Sequence, residues 1–334
     1  MFFLVASLLI SFSLLITKKQ VFQNNPDTNF LKISKSIHFP VKEISGISIR
    51  KDKNSEINNI YIVGDKLPQL GVANLNKQEK TILQPKLIDF STSILDRFAV
   101  CSSKSIPQCH YMVKTLTSQW EAVFVDSISR AFLLNERLAS IIAYSLESNK
   151  VLSVINLERF EAEEKTKKQT HAQHYDNGLG EGFVLLNNSH ILVIKEKNNS
   201  AIIEFGKEGH LSEGYNQKLF LNDELYEISG EKVSLVPLKI WNLPKKDKNC
   251  DLSEITTDEI GQLYVLSQNC QTISKLSDLS VHSDFAVYEK QWLLPATIRY
   301  AEALAVLEKE QSFVIGIDEK SIQKDNIIFL ETNF

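Results

Sequence analysis

The sequence predicts an all-β fold built from repeated units, and three observations carry that prediction. Short runs rich in Ile, Val, Leu, Phe and Tyr, bounded by Asn, Asp, Gly, Ser and Lys, recur along the 334-residue chain, while long helical periodicities are scarce. The strongest runs align as one unit: an acidic or polar opening before a short strand, a turn, an apolar strand ending on a polar or acidic residue, then a third strand. The spacing inside the unit holds. Glu121 to Glu136 and Glu181 to Glu196 are each fifteen residues apart, and Glu302 to Asp318 is sixteen.

Taken in order, the first unit opens at Ser45, Gly46 and Ile47, continues through residues 60–65 and ends with 71–75; the charged stretch 50–56 lengthens its turn. The second opens at Glu121 and runs through 131–136 and 140–144. The third opens at Glu181 and runs through 191–196 and 201–205. The fourth opens at Glu254 and runs through 262–267 and 272–276. The fifth opens at Glu302 and runs through 313–318 and 326–330. An aromatic residue closely followed by proline precedes three openings: Phe39-Pro40, Trp241 with Pro244, and Trp292 with Pro295. Each reads as the end of a fourth, outer strand, because Trp covers a sheet edge and Pro is tolerated where a strand stops.

Four-stranded units repeated at roughly 50 to 75 residues predict a β-propeller. One such sheet cannot bury both faces alone, so neighbouring blades must stack. Residues 31–39 have no first strand before them and end in the aromatic-Pro marker, so they supply the outer strand that the last blade lacks and close the ring. Five openings are visible. Residues 95–101, 111–116, 218–228 and 232–240 are spare strand candidates, so six blades are favoured and five is the alternative. A pair of β-sandwiches is the rival fold, disfavoured by the persistence of the repeat. Residues 158–180 form a polar loop between blades. The expected organisation is a segment 1–20 that is a signal peptide or membrane anchor, a linker 21–30, and a single propeller domain 31–334.

Composition narrows the function. The chain is 43% hydrophobic, enough for a large core, and its net charge of -4 with scattered lysines argues against nucleic-acid binding. Residues 2–16 are apolar or small hydroxyl residues, followed by Thr17, Lys18 and Lys19. The run is short for a membrane span and suited to a signal-peptide core. No basic residue precedes it and no clean small-x-small cleavage site follows. Read as an anchor, the lysine pair favours a cytoplasmic flank. Export is the favoured reading, with cleavage or membrane attachment through residues 2–16 both open. The four cysteines are expected to pair with their neighbours, Cys101 with Cys109 and Cys250 with Cys270; none has metal-site spacing.

In a propeller the first strand of each blade lines the central channel, so Glu121, Glu181, Glu254 and Glu302 are expected to converge. Carboxylates sharing a small space repel and raise one another's pKa. A hard cation relieves that cost, and calcium, with about six to eight oxygen ligands in flexible geometry, suits such a ring better than magnesium. The bland alternative is that each Glu accepts hydrogen bonds from backbone amides of the next blade and fixes blade register. A second set, Asp65, Glu136, Glu196 and Asp318, ends the apolar strands. It is expected at the opposite end of the blades, capping turns or facing solvent, with Asn135 and Asn269 in similar places. His171, His174 and Asp176 lie in a polar loop without a zinc signature. Asn187 and Asn198 begin glycan-acceptor triplets. There is no GxSxG elbow, HExxH, P-loop or GxGxxG.

The openings Ile44-Ser45-Gly46-Ile47, Glu121-Ala122-Val123, Glu181-Gly182-Phe183, Asp251-Leu252-Ser253-Glu254-Ile255 and Glu302-Ala303-Leu304, in that order, resemble those of the SdiA-regulated family of exported bacterial β-propellers. The resemblance spans residues 41–331. Esterase-like and phytase-like propellers share a similar Glu-Gly opening, and gluconolactonase-like propellers resemble the plan in holding a metal through a first-strand Glu. The chain departs from the pattern at Ser45, which is not acidic, and at Ala122 and Ala303, which replace Gly. The resemblance implies a calcium-binding, non-catalytic scaffold in the periplasm or anchored facing it, with Glu121, Glu181, Glu254 and Glu302 on the metal. One propeller face would meet a protein or small-molecule ligand. The alternative is a metal-dependent hydrolase of lactone, ester or phosphoester substrates.

Overall fold

The computed structural model describes residues 29–51, 58–98, 113–158, 179–196, 199–222, 224–308, 311–321 and 324–332. Strand β1 (Asn29–Ile37) opens the described chain, and its partners lie at the far end. The next four strands, β2 (Ile44–Lys51), β3 (Asn58–Gly64), β4 (Leu67–Asn76) and β5 (Thr81–Asp89), pair antiparallel in sequence order. The same meander recurs in β6 (Trp120–Val125), β7 (Arg130–Asn135), β8 (Ser140–Ser145) and β9 (Lys150–Leu157). It recurs again in β10 (Leu179–Leu185), β11 (Ile191–Lys195), β12 (Ala201–Gly206) and β13 (Lys232–Asn242). A fourth copy is β14 (Glu254–Thr257), β15 (Leu263–Ser267), β16 (Thr272–Leu276) and β17 (Tyr288–Leu293). The last is β18 (Ala301–Glu308), β19 (Ser312–Ile317) and β20 (Ile327–Thr332), whose outer edge pairs antiparallel with β1 from Leu31↔Thr332 to Ile37↔Ile327.

Outer strands β9 and β13, and likewise β1 and β17, pair in parallel, which merges four of the meanders into two eight-stranded sheets. The first strands pack in a cycle: β2 on β6, β6 on β10, β10 on β14, β14 on β18, and β18 on β2. The architecture is all-β and compatible with a propeller.

The core explains why the strands read as apolar runs rather than alternating ones. Its buried residues fall into five clusters among the described residues, each filling the space between two consecutive meanders. Phe132 and Leu134 of β7 meet Phe183 and Leu185 of β10, and Ile47 and Ile60 meet Ala303 and Val314 to complete the cycle. A strand buried on both faces carries apolar side chains on both. Each buried Phe, Leu or Ile contributes about 1.5–3 kcal/mol relative to exposure. Trp241 and Trp292 are fully buried near the ends of β13 and β17, and Phe39 is buried just after β1.

Two segments differ from expectation. Residues 91–97 form helix α1 (Ser91–Arg97), with Ile94 buried, and 113–116 are helical. The spare strands read over 95–101 and 111–116 are therefore not seen where those residues are described. Residues 232–242 are the fourth strand of the third meander, not a spare. The described residues leave no sheet for a sixth unit. Cys250 and Cys270 form a disulfide that ties the approach to β14 to the turn after β15. Cys101, Cys109, His171, His174, Asp176, Asn198 and the apolar run 2–16 lie outside the described residues. Among the described residues no helix is long and apolar enough to cross a membrane.

Candidate active site

The starts of the first strands are irregular in a systematic way. Ile44 faces Gly64 while Gly46 faces Val63, so Ser45 is an extra residue on β2. Trp120 faces Asn135 while Ala122 faces Leu134, so Glu121 is extra on β6. Ala301 faces Ile317 while Ala303 faces Gly316, so Glu302 is extra on β18. On β10 the register slips between Leu179 and Phe183, a stretch that contains Glu181. These are β-bulges, which bend a strand and re-aim the side chain at the extra position. Three of them are prepared by a non-glycine residue in the left-handed region two positions earlier, Glu43 (φ 48), Gln119 (φ 63) and Tyr300 (φ 58). The backbone carbonyl of each accepts from the amide of the residue that ends the neighbouring strand, Asp65 (3.0 Å), Glu136 (3.1 Å) and Asp318 (2.9 Å). Left-handed non-glycine residues are costly, and such strain concentrates at functional sites.

The result is a cavity of about 220 Å³. Eight carboxyl side chains line it: Glu43, Asp65, Glu121, Glu136, Glu181, Glu196, Glu302 and Asp318, together with Ile44, Ser45 and Gln119. The second acidic set thus shares one cavity with three of the opening glutamates, contrary to its expected place at the opposite end. The reason is elementary. In an antiparallel hairpin the end of the second strand lies beside the start of the first.

Glu254 goes elsewhere. The β14–β15 ladder is regular from Glu254↔Leu266 onward, without a bulge. Its carboxylate is buried, accepts from the Ile255 backbone amide at 2.9 Å, and borders a second cavity toward the other end of the first strands. Burial holds its pKa well above the carboxylate range, opposed by that amide and reinforced by the Glu181 charge. Ser45, whose hydroxyl donates to the Trp120 carbonyl at 2.6 Å, ties its strand to the next meander, whereas Glu254 bonds an amide of its own strand.

Three of the cavity acids, Glu121, Glu302 and Asp318, are pushed above the ordinary carboxylate range. Burial, then the charges of Glu196, Asp318 and Asp251, push Glu302 up to about 8, against a hydrogen bond from Gln268. Gln268 Nε2 donates to Glu302 Oε1 at 2.7 Å, so the retained proton belongs on Oε2. Burial, then Glu181, Asp65, Glu136 and Glu302, raises Glu121 well above its ordinary range. Burial, then Glu43, raises Asp318. Lys66 meets this group at its edge: its Nζ lies 3.2 Å from Glu43 Oε2 and also bonds Asp65.

Sequence reasoning missed Glu43, Gln119, Gln268 and Asp251. Gln268 had a usable signal, because it stands just past Ser267, where other units place an acid. Glu43 and Gln119 lie outside the repeat pattern and had none.

No family model matches the chain, and no curated protein matches its sequence. Solved structures do. Virginiamycin B lyase from Staphylococcus aureus matches at 10% identity and TM-score 0.43, covering 91% of this chain and 100% of that one. A putative gluconolactonase matches at 7% identity and TM-score 0.42, covering 91% and 92%. Hydrazine synthase from Kuenenia stuttgartiensis matches at 8% identity and TM-score 0.41, covering 90% and 98%. The chain is distantly similar in fold to such proteins, and the likeness does not single out the SdiA-regulated family.

These findings correct three expectations. Among the described residues no group of three or more His, Cys, Asp or Glu side chains is arranged to hold a metal ion, so the calcium site on Glu121, Glu181, Glu254 and Glu302 does not stand. Its physical basis fails too. Glu254 borders the second cavity, and Glu121 and Glu302 are pushed toward their protonated forms. With the metal goes the calcium-binding scaffold. The leaning against an enzyme is likewise corrected, since the cavity gathers buried carboxyls, among them Glu121, Glu302 and Asp318, whose pKa values are raised.

Proposed function

We propose that the acid-lined cavity is the active site of an enzyme that opens a lactone or carboxylic ester by carboxyl acid–base catalysis. The observation that supports it is Glu302, which keeps its proton up to about pH 8 in a cavity shared with the carboxyls of Glu196 and Asp318. A carboxylic acid with a pKa near the working pH is suited to proton donation. Water adds to the acyl carbon, and its proton passes to a neighbouring carboxylate, Glu196 or Asp318. The tetrahedral intermediate collapses, and Glu302 Oε2 delivers its proton to the leaving alkoxide. Phosphoesters are disfavoured, because their negative charge would meet the lining carboxyls.

The wider reading has its own supports. The five meanders are read as five blades on the cyclic packing of their first strands. Residues 31–334 are read as one domain closed by the N-terminal strand. Affinity with the SdiA-regulated group rests on the five openings, and export on the apolar run 2–16. A small-molecule ligand at the acid-lined face is the partner this function requires. The test is a panel of neutral lactones and esters assayed with the wild type and Glu302→Gln. Turnover that collapses in the variant supports the reading; no turnover, or turnover indifferent to the change, rejects it.

A further inference from the structure

Resting on that active-site reading, we propose that the Cys250–Cys270 disulfide is a redox control on the active site, clamping the turn from which Gln268 positions Glu302. Gln268 reaches from the fourth meander to the bulged start of the fifth, where its Nε2 donates to Glu302 Oε1 at 2.7 Å. An amide donor bonds an oxygen that carries no proton, so Gln268 selects Oε2 as the oxygen that gives the proton. The other four units place an acid one step past the second strand: Asp65, Glu136, Glu196 and Asp318. A carboxylate at 268 would accept the Glu302 proton instead of directing it. The backbone is held differently too. The amides of Asp65, Glu136 and Asp318 are caught by a backbone carbonyl that precedes a bulge. The β14 start has no bulge, and the Gln268 amide donates to the Ser253 hydroxyl at a longer 3.3 Å. The whole turn is instead tied to the segment that enters β14. Ser267 Oγ donates to Asp251 Oδ1 at 2.8 Å, the Asn269 amide donates to the same carboxylate at 3.1 Å, and Asn269 Nδ2 donates to the Asn249 carbonyl at 3.1 Å. The disulfide is the covalent member of that set.

Both cysteines are half-buried and flank the exposed Asn269, so a reductant can reach them. A dithiol supplies two electrons and two protons: the S–S bond breaks, two thiols form, and the dithiol closes into a cyclic disulfide. The turn is then left with hydrogen bonds that water can replace. Asp251 stays in place, because Leu252 is buried beside it and the Ser253 amide donates to the Leu266 carbonyl at 2.9 Å. Glu302 therefore loses a hydrogen bond that favours its charged form and keeps the Asp251 charge that opposes it. It holds its proton more tightly and on either oxygen, which makes it a poorer donor to the leaving alkoxide.

The test treats the full chain with dithiothreitol and reads ester turnover together with the Glu302 carboxyl in a carbon-13 NMR titration. Reduction should lower kcat about three- to tenfold with KM unchanged, and raise the Glu302 midpoint by about half to one pH unit. Gln268→Leu should show both effects without reductant and gain nothing further from it. The double variant Cys250→Ser, Cys270→Ser should match the reduced wild type and ignore the dithiol. The titration of reduced wild type stands even if a variant folds poorly. A loss on reduction of equal size in Gln268→Leu would mean that the disulfide acts through general stability, and overturns the clamp. So does a dithiol effect that persists in the double cysteine variant. Glu302-dependent turnover that ignores the reductant, with an unmoved midpoint, overturns the clamp while the enzyme stands. A midpoint that rises on reduction in the wild type and not in Gln268→Leu, with no ester turned over, supports the clamp and removes the enzyme.

Discussion

The two ends of the first strands differ in lining: β14 contributes to the cavity at one end and not to the one at the other. At their starts, bulges turn Glu121, Glu181 and Glu302 into a wall of carboxyls. Two or three residues further along, a cavity of about 190 Å³ has a mixed wall, where apolar side chains such as Ile47, Val123 and Leu307 stand among Arg50, Lys77, Asp258 and Glu259. Between them is a waist of small residues. A Cβ on Gly46 would lie 2.7 Å from the Ala122 Cα, and one on Gly182 2.7 Å from the Ile255 nitrogen and 2.4 Å from Glu254 Oε1. The difference teaches that the residue type does not decide where an opening glutamate points. Glu254 has the type and the strand position, but its ladder is regular and it lines the second cavity. One extra residue per strand makes the acid end.

The sharpest way to break this comparison is to remove one acid from each end. Glu302→Gln should lower ester or lactone turnover about 10²-fold or more, the usual scale for losing a general acid. Glu254→Gln should stay within about threefold. Equal losses would erase the distinction between the ends.

Stability against pH is the next effect in size. Folded Glu302 keeps its proton up to about 8, whereas the unfolded side chain releases it near the model-compound value of 4.5. Between those values the folded state binds more protons, so stability falls as pH rises. The contribution is full below the unfolded pKa and gone above the folded one. Melting should therefore weaken from about pH 5 to about pH 8 by an amount equivalent to about 2–4 kcal/mol, and Glu302→Gln should flatten much of that slope. A melting temperature that climbs over this range would contradict the burial of these acids.

The waist supplies a smaller test. Gly182→Ala should destabilise by about 1–3 kcal/mol through overpacking against β14, measured by denaturant unfolding, because its contacts are backbone and a buried carboxylate. An unchanged midpoint would mean that the first strands have room to part. Smallest is Asp251→Asn. Removing one charge that raises Glu302 should shift the alkaline limb of the activity profile down by less than about one pH unit.

How far the sequence could be read follows from what leaves a trace in it. Strands buried on both faces appear as apolar runs, so β7, β11, β15 and β19 are legible as strands. Opening glutamates and closing acids fifteen or sixteen residues apart are legible as a pair. Their meeting was missed by a directional error: an antiparallel return brings Glu136 back beside Gln119 and Glu121, not away from them. The bulges were not legible, because one extra residue in a polar opening changes neither composition nor spacing enough to notice. The left-handed residues that prepare them, Glu43, Gln119 and Tyr300, are not glycines and carry no turn signature. Helix α1 was hidden for a related reason, since its Ser-Thr-Ser-Ile-Leu-Asp-Arg stretch is too short for periodicity to speak.

The central claim is that the bulged starts of the first strands gather carboxyls that keep their protons at neutral pH. It is tested most directly by a carbon-13 NMR titration of glutamate-labelled protein, with the Glu302 carboxyl assigned by its loss in Glu302→Gln. The account predicts a Glu302 midpoint near 8. A midpoint in the ordinary glutamate range, near 4.5, would contradict it.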